Sequence, residues 1–338
     1  MNYRILSISF LFLVQIICFN LSAQTQLPRI SVVGNNFVNE KQETMVFRGL
    51  NASDPDKLET QGHWTKSYFQ EMKNWGANIV RLPVHPTAWS RRGKEDYLRL
   101  LDQAVEWATE LDLYLIIDWH SIGNLKTEMF QDGIYDTSLK QTYDFWRTIA
   151  VHYGKHNTVA FYELYNEPTT YHNTLGTISW DWWKSINEEF ITIIRANGGE
   201  GVPLVAGFNW AYDLTPVRDQ PLEVEGIGYV SHPYPEKKEK PWKEKWTADW
   251  GFVKENYPII LTEIGFCGPD DVGAHSPVIG DESYGDAITN YCDANEISYI
   301  VWVFDAEWAP RLFQDWENYK PSRHGKYFKK KLQSYTYE

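Results

Sequence analysis

The chain is short of several features that would point elsewhere. Cysteine is scarce, with three in 338 residues: Cys18, Cys267 and Cys292. No Cys-x-x-Cys or His-x-His pair occurs. No ligand spacing therefore supports a zinc site, although His85, His120, His232 and Glu263 keep a metal-dependent barrel formally open. Asp270-Asp271 lacks the spacing of a calcium loop. The predictions are no metal and no cofactor. No Gly-rich phosphate loop follows the first apolar strand, where Arg48-Gly49-Leu50-Asn51 stands instead. Outside the N-terminus, no apolar run is long enough to span a bilayer. Basic residues are also in deficit, 32 against 45 acidic. That balance argues against nucleic acid and anionic membranes as partners and is indifferent to a neutral polymer.

Aromatic residues are plentiful. Sixteen Trp, 21 Tyr and 16 Phe make up 16% of the chain. Most belong to a core, but flat rings also suit the apolar faces of sugars. Residues 1–23 read as a secretory signal, with Arg4 before the apolar run Ile5 to Leu21 and small residues at Ser22-Ala23. Ile17, not a small residue, precedes Cys18, which argues against lipidation there. Cleavage near Ala23 would leave residues 24–338 as one domain, secreted to a periplasmic or extracellular space, and expected to be a monomer.

From Met45 onward, apolar strands alternate with helical segments. The expected strands are Met45–Asn51, Ala77–Val84, Leu113–Asp118, Val159–Tyr165, Pro203–Phe208, Gly226–Val230, Pro258–Thr262 and Ile297–Phe304. Between them lie helical patterns, the clearest from Glu95 to Leu111 with Leu98, Leu101, Val105 and Ala108 on one face. The last helix is expected over Trp316–Leu332. Continuous apolar strands alternating with helices imply a parallel sheet buried on both faces. Eight such repeats predict a single-domain (β/α)₈ TIM barrel over an open doubly wound sheet.

In such a barrel the strand C-termini converge on one mouth. The polar residues there are Asn51, Arg81, His120, Asn166, Glu167, Asn209, His232, Tyr234, Glu263 and Asp305. Each alone has an ordinary structural explanation. Phe161 to Pro168 reads as a strand that ends in Asn-Glu-Pro, where the proline should stop ladder pairing. Glu167 there reads equally as a loop acid or a catalyst. Glu263 stands 96 positions later, on the seventh strand, so only the fold can bring the two together. Two carboxylates across a cleft are what cleavage of a glycosidic acetal requires.

These residues resemble the cellulase-like family 5 glycoside hydrolases of the large retaining (β/α)₈ clan. The resemblance rests on Arg81 in IVRLPV, His120 in IIDWH, Asn166-Glu167 in LYNEP, His232 and Tyr234 in SHPY, Glu263 in LTEIG and Trp302 in VWVF. It spans essentially all of residues 24–338. It implies that Glu167 is the acid/base and Glu263 the nucleophile. Arg81 and Tyr234 are expected to favour the charged form of Glu263, and an ionised Glu263 to help Glu167 keep its proton. Asn166 is expected to bond a sugar 2-OH, His120 and His232 to bond hydroxyls or hold the carboxylates, and Trp302 to lie under the sugar beside the cut. Asn51 and Trp210 complete the expected substrate-binding or supporting set. Trp89, Trp119 and Trp308 are further subsite candidates, whereas Trp242, Trp246 and Trp250, spaced by four, read as a packed helix face.

The implied activity is a retaining endo-β-glycanase on β-1,4-glucan or mixed-linkage glucan. β-Mannan is the alternative substrate, and a non-catalytic glycan-binding barrel is the rival class. Cys267 near the mouth and Cys292 deep in the next helix should be about 15 Å apart along the axis. That is too far for a disulfide, so two free thiols are expected.

Overall fold

In the computed structural model, which describes residues 27–335, eight parallel strands close into one barrel. They are β1 Arg48–Asn51, β2 Ile79–Val84, β3 Tyr114–Trp119, β4 Val159–Glu163, β5 Val202–Ala206, β6 Gly228–Val230, β7 Ile259–Ile264 and β8 Ser298–Val301. They pair in chain order, and β8 closes the ring on β1. The longer helices between and after them are α1 Lys66–Asn74, α2 Lys94–Glu110, α3 Leu139–Tyr153, α4 Trp180–Ala196, α5 Trp242–Asp249, α6 Glu282–Ala294 and α7 Arg323–Leu332. Thr65, Ser138, Ser179, Asp281 and Ser322 cap five of them by accepting a backbone N–H that would otherwise have no partner. The predicted secretory signal and Cys18 lie outside the described residues. Among the described residues no helix is long and apolar enough to cross a membrane.

Strand periodicity places most of the barrel side chains. Leu115, Ile117 and Trp119 point outward into the layer shared with the helices, whereas Tyr114 and Ile116 fill the barrel. Phe47, Ile79, Phe161, Leu204, Ile260 and Ile300 complete that interior. A hairpin, Ser31–Val33 with Asn36–Val38, covers its lower end, and Phe37 meets Phe161 edge-on at 4.9 Å. Above this apolar floor the same inward positions turn polar: Asn51, Arg81, Asp118 and Glu163, all fully buried. A barrel floor that rigid is what can hold a polar layer in one geometry.

Several boundaries differ from expectation. β4 stops at Glu163. Glu167-Pro168 is not the end of pairing: it joins Ile122–Asn124 and Met129–Phe130 in a small three-stranded sheet over the mouth. Proline tolerates this because Glu167 and Thr169 supply the N–H groups, to Ser121 and Gly123. The helix expected from Trp242 breaks after Asp249 into a 3₁₀ turn, Gly251–Glu255. The last helix begins at Arg323, not Trp316, because Ser322 is the residue whose side chain caps it. Trp89 and Trp119 are core residues, not mouth residues: both pack on Phe145, and Trp119 donates to Thr142. Trp246 and Trp250 are buried against Tyr291, as a packed helix face requires. Cys267 and Cys292 are both free.

His324 opens α7 between Phe266 and Phe328, and neither ring nitrogen makes a hydrogen bond. Burial pulls its pKa down to about 3, only partly offset by the Pro310 and Arg311 carbonyls. The unfolded chain takes up this proton near 6.5, and the folded chain does not until about 3. This contribution to stability is therefore complete above pH 6.5 and is lost as pH falls towards 3. At pH 4.5 it should amount to about 2 kcal/mol. His324→Leu should lose less of its urea midpoint between pH 7 and pH 4.5 than the wild type does. Equal losses would remove His324 as the cause.

Candidate active site

Arg81 organises the polar layer. Its Nε and Nη2 donate to the two oxygens of Glu163 at 2.6 and 2.9 Å. Nη1 donates to Glu263 Oε1 and Asn51 Oδ1, each at 2.9 Å, and Nη2 also reaches Asn166 Oδ1 at 2.7 Å and Asp118 Oδ2 at 3.0 Å. The planar fork suits this many acceptors as an ammonium would not. Asn51 spends its amide on the Thr262 carbonyl, so both its ends serve the protein. Asn166 differs. Arg81 can only donate, so Asn166 must turn its oxygen to it, and its buried Nδ2 has no partner among the described residues.

The two predicted carboxylates meet. Oxygens of Glu167 and Glu263 and a ring nitrogen of His232 all lie within 4.8 Å of one another. His232 places Nδ1 at 3.0 Å from Glu167 Oε1, and Nε2 at 2.8 Å from Thr262 Oγ1. Thr262 in turn donates to Glu163 at 2.9 Å. Tyr234 donates its hydroxyl to Glu263 Oε2 at 2.8 Å. Thr262 and Glu263 are adjacent in sequence yet both face inward. Period 2 forbids that in a regular strand, and the register of β7 against β8 indeed shifts between Leu261 and Ile264.

His120 places Nδ1 at 2.6 Å from Asp118 Oδ2 and lies parallel to Trp302, with ring centres 5.4 Å apart. Trp308 lies nearly parallel to Trp302, with ring centres 6.1 Å apart. His85, bonded to Asp54 at 2.8 Å, stacks on Tyr135 and meets His120 edge-on. Asp305 is buried beneath this wall, held by Ser53 and Lys57. Asn209 and Trp210 stand on the opposite rim, partly exposed.

Charge in this layer is finely balanced. Burial lowers and the surrounding carboxylates raise Arg81, and the net direction is up. Burial raises Glu163, but Arg81 and His232 overcome it and hold the carboxyl below its ordinary value. Burial likewise pulls His232 down, and Glu263, Glu163 and Glu167 outweigh it and lift the imidazole to about 9. Glu263 departs from expectation. Burial and nearby Glu167 push its pKa up by more than His232, Arg81 and Tyr234 pull it down. Burial also pushes Asp118 far up despite Arg81, and pushes His120 far down, with His85, Arg81 and His232 adding to the effect. Asp118, Glu163, Glu167 and Glu263 therefore face two cations, Arg81 and His232, and four full negative charges would be uncompensated. Glu167, His232 and Glu263 are close enough to surround a cation, although in this arrangement their facing atoms are already bonded to one another and to Arg81 and Tyr234.

The predicted Arg81, His120, Asn166, Glu167, His232, Tyr234, Glu263 and Trp302 thus converge, with Asn51 beneath them. Trp210 lies apart at the rim. Sequence reasoning missed Glu163, Asp118, Thr262, Asp54 and Tyr135. Period 2 along β3 and β4 carried the signal for Asp118 and Glu163: inward Tyr114, Ile116 and Phe161 put them on the same face.

The profile of the cellulase family, described as glycosyl hydrolase family 5, matches residues 38–307. Endoglucanase A of Butyrivibrio fibrisolvens is 30% identical over 206 residues, 59% of this chain and 43% of that protein. Endoglucanase Z of Dickeya dadantii is 23% identical over 95% of this chain and 70% of its own length. The chain spans 43%, 17% and 30% of three such curated relatives. A β-glucanase from Saccharophagus degradans, solved in complex with cellotetraose, superposes with a TM-score of 0.89 at 47% identity, covering 91% of this chain and 94% of that one. The catalytic domain of a Thermobifida fusca endoglucanase shares the fold, with a TM-score of 0.73 at 21% identity over 90% of this chain and 97% of its own.

Proposed function

The chain belongs to the cellulase family, glycosyl hydrolase family 5, and on that footing we propose that it is a retaining endo-β-glucanase with Glu263 as nucleophile and Glu167 as acid/base. The separation of the two carboxylates carries this reading. Their nearest oxygens are within 4.8 Å, whereas an inverting pair stands about 6.5–9.5 Å apart to admit a water between them.

Glu263 attacks the anomeric carbon while Glu167 gives its proton to the departing oxygen. The product is a glycosyl ester on Glu263 and a free chain end. Glu167, now ionised, takes a proton from water, which attacks the same carbon from the opposite side to Glu263 and releases the sugar with its configuration retained. Arg81 and Tyr234 each hold one oxygen of Glu263, which fixes the angle of attack. His232 does the same for Glu167. The unpartnered Nδ2 of Asn166 is placed to donate to the 2-OH, and His120, with Nδ1 committed to Asp118, has Nε2 left for another hydroxyl.

β-1,4-Glucan or mixed-linkage glucan is the substrate we favour, supported by the endoglucanases and the cellotetraose-bound β-glucanase that the chain resembles. Such a polymer is met outside the cell, in keeping with the leader read at residues 1–23. Early products from carboxymethyl-cellulose or lichenan should appear by ¹H NMR as the β-anomer, before mutarotation. The α-anomer appearing first would overturn the mechanism, and cleavage of mannan alone would overturn the substrate.

A further inference from the structure

Two lysine–tryptophan pairs stand on opposite rims of the mouth. One follows β1 and β8, with Lys57 Nζ 4.9 Å from the Trp308 ring centre. The other follows β5 and β6, with Lys237 Nζ 4.8 Å from the Trp210 ring centre. Strands pair in chain order around eight positions, so Lys57 after β1 and Trp210 after β5 are diametrically opposed, while Trp308 after β8 and Lys237 after β6 are two strands apart. Glu167, after β4, and Glu263, on β7, lie between the rims. A polymer crossing the mouth passes from one pair to the other.

The Lys237 rim is built, not incidental. Asn209, Trp210 and Ala211 all have left-handed backbones, with φ of 57°, 54° and 55°. Each costs about 1–2 kcal/mol for an L-residue, so the surrounding structure must impose the turn. Phe208 and Asp213 close it by exchanging both backbone hydrogen bonds at 3.0 and 2.9 Å. Gly207 permits the approach, because a Cβ there would lie 2.0 Å from the Asp213 carbonyl oxygen. The turn delivers the Asn209 carbonyl to Lys237 Nζ at 3.0 Å, and Gln131 fixes Trp210 through its Nε1 at 2.8 Å. Tyr171 and His172, four and five residues beyond Glu167, border Trp210. One face of Trp210 is covered by the ammonium, so the lysine is the group held in place. Burial lowers the Lys237 pKa, and Glu167 and Glu263 oppose it, which puts the ammonium within electrostatic reach of both. Of its three donors, one is committed to Asn209.

We propose that Lys237 binds the departing sugar, donating its remaining hydrogen bonds to that sugar's hydroxyls. This rests on the glycosidase reading, which puts Trp302 under the sugar beside the cut; with that sugar taken as the one Glu263 captures, the rim of Trp210, Tyr171 and His172 is left for the leaving chain. Nitrophenyl cellobioside tests it, because its leaving group carries no hydroxyls for Lys237 to hold. Lys237→Met should lower kcat/KM on cellotetraose by ~10–100-fold, the scale of a charged hydrogen bond, and on the aryl glycoside by less than ~3-fold. Lys237→Arg, which keeps charge and donors, should recover most of the loss. Lys237→Gln offers a second variant should the methionine protein fold poorly. Equal losses on both substrates would mean that Lys237 only braces the turn, and the proposal would fall. Wild-type protein inactive on both would instead overturn the glycosidase reading itself.

Discussion

Glutamine at position 263 is expected to slow the first, glycosyl-enzyme-forming step by about four orders of magnitude on every substrate, whereas Glu167→Gln is expected to do so only where the leaving group needs a proton. The difference follows from the two roles. An amide at 263 cannot form the glycosyl ester, whatever departs. An amide at 167 cannot protonate a sugar oxygen, but a dinitrophenolate leaves without help. With a dinitrophenyl cellobioside, Glu167→Gln should show a burst of phenolate and then slow turnover, because no base activates water for the second step. Azide, an anion that needs no base, should restore turnover and yield a β-glycosyl azide. Glu263→Gln should show no burst and no such rescue. Both substitutions keep shape while removing charge, so a matched urea midpoint would separate chemistry from folding. The assignment is falsified if the two variants respond alike to leaving group and azide.

The two roles are what the family resemblance implies, whereas the barrel repeat itself made the strand-end position of both glutamates legible in the sequence. Eight apolar runs alternating with helical patterns suffice for that, since a strand buried on both faces has no polar alternation to lose. Boundaries were less legible. The strand expected over Pro203–Phe208 ends at Ala206, and no local preference predicts the three consecutive left-handed residues that follow at Asn209 to Ala211. The turn exists because Phe208 and Asp213 pair across it. Trp89 and Trp119 were misplaced because loop position and ring orientation are separate facts. Trp119 occupies an outward position of β3, where Leu115 and Ile117 already point to the helices. The same parity, applied one residue earlier, picks out Asp118. Glu263 is the opposite case: strict alternation from Ile260 and Thr262 would turn it outward, and only the register shift in β7 brings it in. The motif located Glu263 where periodicity alone would have failed.

Arg81→Met should be the most destabilising of the single substitutions considered, by about 3–5 kcal/mol. Methionine fills the space, so the loss is electrostatic. Glu163 and Asp118, both fully buried, and Glu263 all lose their cation at once, and Asn51 and Asn166 lose a donor each. In the wild type, Glu163 is held below its ordinary pKa, so its contribution is present at neutral pH and fades as pH falls through the folded value. Without Arg81, burial is left opposed by His232 and the Thr262 hydroxyl, and the shift should reverse. Glu163 should then be held neutral, and the variant should lose stability as pH rises through the raised value. The urea-midpoint gap between wild type and variant is therefore expected to be smaller at pH 5 than at pH 8. Arg81→Lys should close little of that gap, because one ammonium cannot meet three carboxylates and two amides with the geometry of a guanidinium fork. A gap independent of pH would mean that Arg81 stabilises by packing. The charge balance drawn for the four carboxylates would then be wrong, and with it the reason why so many acids tolerate burial beneath one mouth.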